Sequence, residues 1–133
     1  MPLASHFVLY VADQHRSAVF YEAVLGLPPR LHVPGMTEFE LPGGGVLGLM
    51  PEQGIVRLLA GTALRDPTHA RGVPRCELYL VGSAPERLHA RALAAGAVEL
   101  SPLRARDWGH DAAYSLDPDG HVLAFAAPSG AGR

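Results

Sequence analysis

From His6 to Val11 the chain alternates, with Phe7, Leu9 and Val11 on one side and His6, Val8 and Tyr10 on the other. A period of two is that of a β-strand with two different faces. Asp13 then stands as a helix cap, Ser17, Phe20, Tyr21 and Val24 recur at three- to four-residue spacing, and Gly26 stops the run, so a helix is predicted between them. After Pro28 and Pro29 come three short β-prone runs, Arg30–Val33, Thr37–Leu41 and Val46–Met50. The last two flank Pro42-Gly43-Gly44-Gly45, a hairpin turn in which glycine allows positive φ. The predicted order is β-α-β-β-β.

The same order recurs at an offset of roughly 70 residues. Glu77 to Val98 repeats the plan of His6 to Leu27: a strand with Leu78 and Leu80 alternating against Glu77, Tyr79 and Val81, a helix from about Pro85 to Ala95 with Leu88 and Ala92 inward, and a stop at Gly96. Val98–Ser101 reads as a strand, Leu103–Trp108 as a loop, Ala112–Leu116 as a strand, Asp117-Pro118-Asp119-Gly120 as a turn and Val122–Ala126 as the closing strand. Two copies are too few for a solenoid, so the expectation is two modules of one domain, about 6–50 and 76–127. Residues 51–75 join them, with a short helix at Ile55–Leu64. The tail Pro128–Arg133 reads as disordered.

With 133 residues, 48% hydrophobic and 18% charged, and a net charge of −2, the chain has the composition of a soluble globular domain and not of a nucleic-acid-coating one. All 11 basic residues are arginine, which excludes a lysine Schiff base. A single cysteine, Cys76, excludes an internal disulfide and suits a reducing cytoplasm; it is expected as a buried, inert thiol on the helix side. No run approaches the roughly 20 apolar residues of a membrane span and the N-terminus lacks signal-peptide features, so a cytoplasmic location is expected.

Two β-α-β-β-β modules with helices outside would turn the other face of each sheet toward a shared concavity, and alternation names the residues on it. Superposing the halves pairs His6 with Glu77 and, through VLGLM (Val46–Met50) and VLAFA (Val122–Ala126), Gly48 with Ala124. Small residues at the second pair leave room for a bound molecule. Tyr10, Phe39, Met50, Tyr79, Tyr114 and Trp108 are then expected as an apolar, aromatic lining suited to a planar or amphiphilic ligand. His110, in the polar loop Asp107–Asp111, is a further candidate contact, whereas His15, His32, His69, His89 and His121 are expected to be solvated or structural.

The runs FVLYVADQHRSAVFYEAVLGL, ELYLV followed by ALAAGA, and DPDGHVLAF, in that order over His6 to about Ala127, resemble the vicinal oxygen chelate superfamily of glyoxalase I, bleomycin-resistance proteins and extradiol dioxygenases. The resemblance implies an α+β fold of two βαβββ modules with glyoxalase-like concave mixed sheets and a homodimeric assembly. It also implies that a family-type divalent metal would take one ligand from each of four strands, at His6, Gly48, Glu77 and Ala124. Gly48 and Ala124 have no ligating side chain, so no metal and no cofactor is expected. The expected function is metal-independent binding of a small organic ligand, as in the bleomycin-resistance proteins, with no nucleic-acid or membrane partner. The alternative is a lyase, isomerase or dioxygenase, using a metal held partly by His6, Glu77 and His110 or an acid–base pair of His6 and Glu77 as catalytic residues.

Overall fold

The N-terminal alternation becomes β1 (His6–Val11), with Leu9 and Val11 buried and His6 exposed. The structure, a computed structural model, describes residues 3–130; the end of the expected tail, 131–133, lies outside them. Asp13 caps α1 (Gln14–Leu25) by accepting the Arg16 N–H at 3.0 Å, and Gly26, at φ 74°, closes it by donating to the Glu22 carbonyl at 2.9 Å. An L-residue with a side chain adopts that φ only under strain, which is why glycine ends the helix. Ser17, Phe20, Tyr21 and Val24 are buried, as their spacing requires.

β2 (Leu31–Val33), β3 (Met36–Glu40), β4 (Val46–Pro51) and α2 (Glu52–Leu58) follow, then a short 3-10 helix at Pro67–Ala70. The sheet order is β1-β4-β3-β2, with β1 parallel to β4 and the other pairs antiparallel. The second half repeats this with β5 (Glu77–Val81), α3 (Pro85–Ala94), β6 (Val98–Ala105), β7 (His110–Leu116) and β8 (Val122–Pro128), in the order β5-β8-β7-β6. The fold is therefore α+β, two four-stranded mixed sheets with helices outside, matching two βαβββ modules. The chain divides into one unit reaching to Arg71 and another from Gly72, with Ala23–Leu25 grouped with the second.

In the first unit the buried sheet face carries Leu9, Val11, Thr37, Phe39, Leu47 and Leu49. Each large aliphatic or aromatic side chain buried there stabilises by roughly 1.5–3 kcal/mol. Gln14 joins α1 to this face, donating from Nε2 to the Val33 carbonyl at 2.7 Å and to Thr37 Oγ1 at 2.9 Å while its Oε1 accepts the Gly35 N–H at 2.9 Å. In the second unit Leu123, Phe125 and Ala127 are buried on β8, and the His89 ring of α3 lies edge-on to Phe125 with centroids 6.4 Å apart.

Several local expectations are corrected. β6 continues to Ala105 instead of ending at Ser101. Pro102 is tolerated because β6 is an edge strand with register shifts on either side of Ser101. β8 runs two residues beyond the expected Ala126 and ends on Pro128, the expected first residue of the tail. The linker helix begins at Glu52, three residues early, where the buried carboxylate accepts from Arg71 Nε at 3.0 Å. His89, not Leu88, is the buried residue beside Ala92 on α3, and its Nε2 lies 2.9 Å from Glu99 Oε2. Cys76 is exposed, because it precedes the first paired residue of β5. Among the described residues no helix is long and apolar enough to cross a membrane.

Candidate ligand-binding site

In the first unit, register places His6, Val8 and Tyr10 of β1 on one face with Val46, Gly48 and Met50 of β4, and with Glu38 and Glu40 of β3. Phe39 is on the opposite face, paired in register with Leu47 and fully buried. It is core, and the expected ligand contact is corrected: alternation within β3 makes Glu38 the residue beside Gly48. Glu38 Oε2 lies 3.4 Å from His6 Nδ1, and its Oε1 accepts from Arg30 Nε at 3.0 Å and Nη2 at 2.9 Å. Sequence reasoning missed Glu38, although the polar-apolar alternation of Glu38, Phe39 and Glu40 carried the signal.

Gly48 does not leave open space. A Cβ there would lie 3.1 Å from Val8 Cγ2 and 3.2 Å from Met36 Sδ, so neighbouring side chains already fill the position. Its counterpart Ala124 is fully buried, flanked in register by Tyr79 on β5 and Tyr114 on β7. The room expected from two small residues is taken up by what stands beside them.

The second unit gathers Glu77, Tyr79, Tyr114 and His110 on the face opposite Phe125, each by strand alternation. The Trp108 indole N–H, which can only donate, donates to Tyr79 Oη at 2.9 Å. The Tyr79 hydroxyl in turn lies 2.7 Å from His110 Nδ1, and the two rings stack with centroids 5.7 Å apart. Trp108 takes one accepting position of that hydroxyl, which leaves its second lone pair and its proton for His110 Nδ1. The Nε2 of His110 lies outside this pair of bonds and offers a hydrogen-bonding group to a ligand.

Arg106 completes this face. It donates to the Ala112 carbonyl from Nε at 3.2 Å and Nη2 at 2.8 Å and to Ser101 Oγ at 2.7 Å, which sets its guanidinium over the Tyr114 ring, 5.1 Å from the centroid. Burial holds the Tyr114 phenol above its ordinary pKa, the acidic Glu77 and Tyr79 groups push the same way, and Arg106 opposes them. The face can therefore stack a flat ring and hydrogen-bond to it.

A family-type metal does not fit these residues. Of the four strand positions, only His6 and Glu77 carry donor atoms; Gly48 and Ala124 carry none. The one carboxylate beside Gly48, Glu38, is ion-paired with Arg30, whose positive charge opposes a cation there.

A model of the Glyoxalase/Bleomycin resistance protein/Dioxygenase superfamily matches residues 4–125. The chain is similar to a glyoxalase-related enzyme from Fulvimarina pelagi, at 26% identity and a TM-score of 0.78 over 96% of this chain and 88% of that one. A glyoxalase/bleomycin resistance protein/dioxygenase from Nocardioides is 25% identical, with a TM-score of 0.73 over 100% and 87% of the two chains. A family enzyme from Burkholderia phytofirmans PsJN, at 18% identity and a TM-score of 0.74 over 93% and 97%, shares the fold. Among curated proteins none matches.

Proposed function

The chain belongs to the glyoxalase/bleomycin resistance protein/dioxygenase superfamily, and on that premise we propose that it is a metal-independent binder of a small planar organic molecule, held on the Trp108–Tyr79–His110 face. The observation that carries this reading is Trp108, which is 53% exposed yet anchored through its indole N–H to Tyr79. An aromatic ring already fixed in place loses little side-chain freedom on binding. Beside it, His110 supplies a polar contact and Tyr114 under Arg106 a second ring. The absence of donor atoms at positions 48 and 124 supports binding without a family-type metal.

Trp108 is the only tryptophan, so its emission reports on this face alone. Titrating the protein with a panel of planar aromatic acids and amines is expected to give saturable quenching by one class. Tyr79→Phe and His110→Ala should weaken that binding by roughly tenfold or more. Failure of every compound to saturate, or a stoichiometric divalent metal that His6→Ala removes, would sink the reading.

A further inference from the structure

The first turn of α1 and the residues of β2 and its turn enclose a groove of about 380 Å³ in the first unit, lined by Asp13, Gln14, His15, His32, Val33 and Pro34. His32 pairs in register with Thr37 and so belongs to the face opposite His6. The three hydrogen bonds of Gln14 fasten α1 to the β2–β3 turn. They thereby hold His15 near His32, ring centroids 6.5 Å apart.

His32 Nδ1 lies 2.7 Å from Thr37 Oγ1. That oxygen has two accepting lone pairs; Gln14 uses one, and the other can take an Nδ1–H, which leaves Nε2 of His32 with a free lone pair. An imidazole whose far nitrogen is held in this way is oriented as metal-ligating histidines are. Asp13 adds a carboxylate whose Oδ1 caps Arg16, leaving Oδ2. No arginine lines the groove, so this carboxylate is not neutralised as Glu38 is by Arg30.

We propose that this groove binds a divalent transition ion of borderline softness, Zn²⁺, Ni²⁺ or Cu²⁺, through His15 and His32, with water completing its coordination and the Asp13 carboxylate adding negative charge to the groove. Imidazole donors suit these ions. With metal–nitrogen bonds of about 2.0–2.1 Å, two imidazoles on one ion bring their centroids roughly 5–6 Å apart. The pair must close by about 1 Å, which rotation of the exposed His15 side chain supplies. An ion there bridges α1 to β2 and stabilises the first unit in proportion to its occupancy.

A second group, Asp117, Asp119 and His121 at the β7–β8 turn, has ligand atoms within 4.8 Å of one another. Asp117 Oδ1 there already accepts the backbone N–H groups of Asp119 and His121, both at 2.9 Å, which is the bonding of a turn, so this group serves as a control.

The test is calorimetric titration of the chelator-stripped full chain with ZnCl₂, repeated for His15→Ala, His32→Ala, the double variant, His6→Ala and His121→Ala. One ion per chain is expected, weakened roughly tenfold or more by each of the first two changes and lost in the double variant, with His6→Ala and His121→Ala unchanged. Both histidines of the proposed site are exposed, so their replacement leaves the core intact, and melting curves without metal verify it. Absence of Zn²⁺ binding, or binding insensitive to His15 and His32, overturns the proposal and leaves the Trp108 face untouched; loss on His6→Ala alone overturns both readings.

Discussion

Gly48 sits in register between Val8 on β1 and Glu38 on β3. The contacts a Cβ would make there, with Val8 and with the Met36 thioether, are tighter than ordinary van der Waals separation. Gly48→Ala is therefore expected to destabilise by about 1–3 kcal/mol, toward the lower end because Met36 is flexible. Denaturant unfolding measures this, and adding Met36→Ala to Gly48→Ala should return part of the loss. Equal instability in the single and double variants would mean that Val8 or the backbone, and not Met36, sets the limit. At this scale the glycine serves the packing of one sheet face, which no reading of residue size along a single strand can distinguish from room for a ligand.

The elements were legible where a local rule decides them. Period two marked β1 and β5, a cap and a glycine bounded α1, and the 42–45 turn marked the β3–β4 hairpin. Asp13→Ala tests the first of these bounds: it should cost about 1 kcal/mol in thermal or denaturant unfolding, the usual value of an N-cap. What stayed hidden depended on partners distant in sequence. Alternation sets Phe39 apart from Glu38 and Glu40, but that its side is the core side is fixed only by register against Leu47. Glu38 became a neighbour of His6 only through β4, which lies between their strands. Pro102 reads as a strand breaker until β6 is known to be an edge. The aromatic face of the second unit was the most legible part of the site, since Tyr79 and Tyr114 flank Ala124 through simple alternation. The bond from Trp108 that fixes it was not legible, because a loop residue has no period to read.

Over the whole molecule the charge inventory shapes the response to alkali. Every basic side chain other than histidine is arginine, so lysine contributes nothing to the alkaline range. Tyr114 has its folded pKa raised above the unfolded value by burial, with Glu77 and Tyr79 adding to the shift. Its neutral form is favoured in the native state, so this contribution to stability is complete below the unfolded pKa and is lost as pH rises through the folded one. Melting temperature followed between about pH 9 and pH 11 should fall less steeply for Tyr114→Phe than for the parent chain; parallel curves would assign the alkaline loss elsewhere. One neutral side chain ties two elements together. The Gln14 side chain holds Val33, Gly35 and Thr37 through one amide, and its slow hydrolysis would replace two donors by a carboxylate set against the Val33 carbonyl. With that amide hydrolysed, the β2–β3 turn would lose its tie to α1 while the core side chains kept their places.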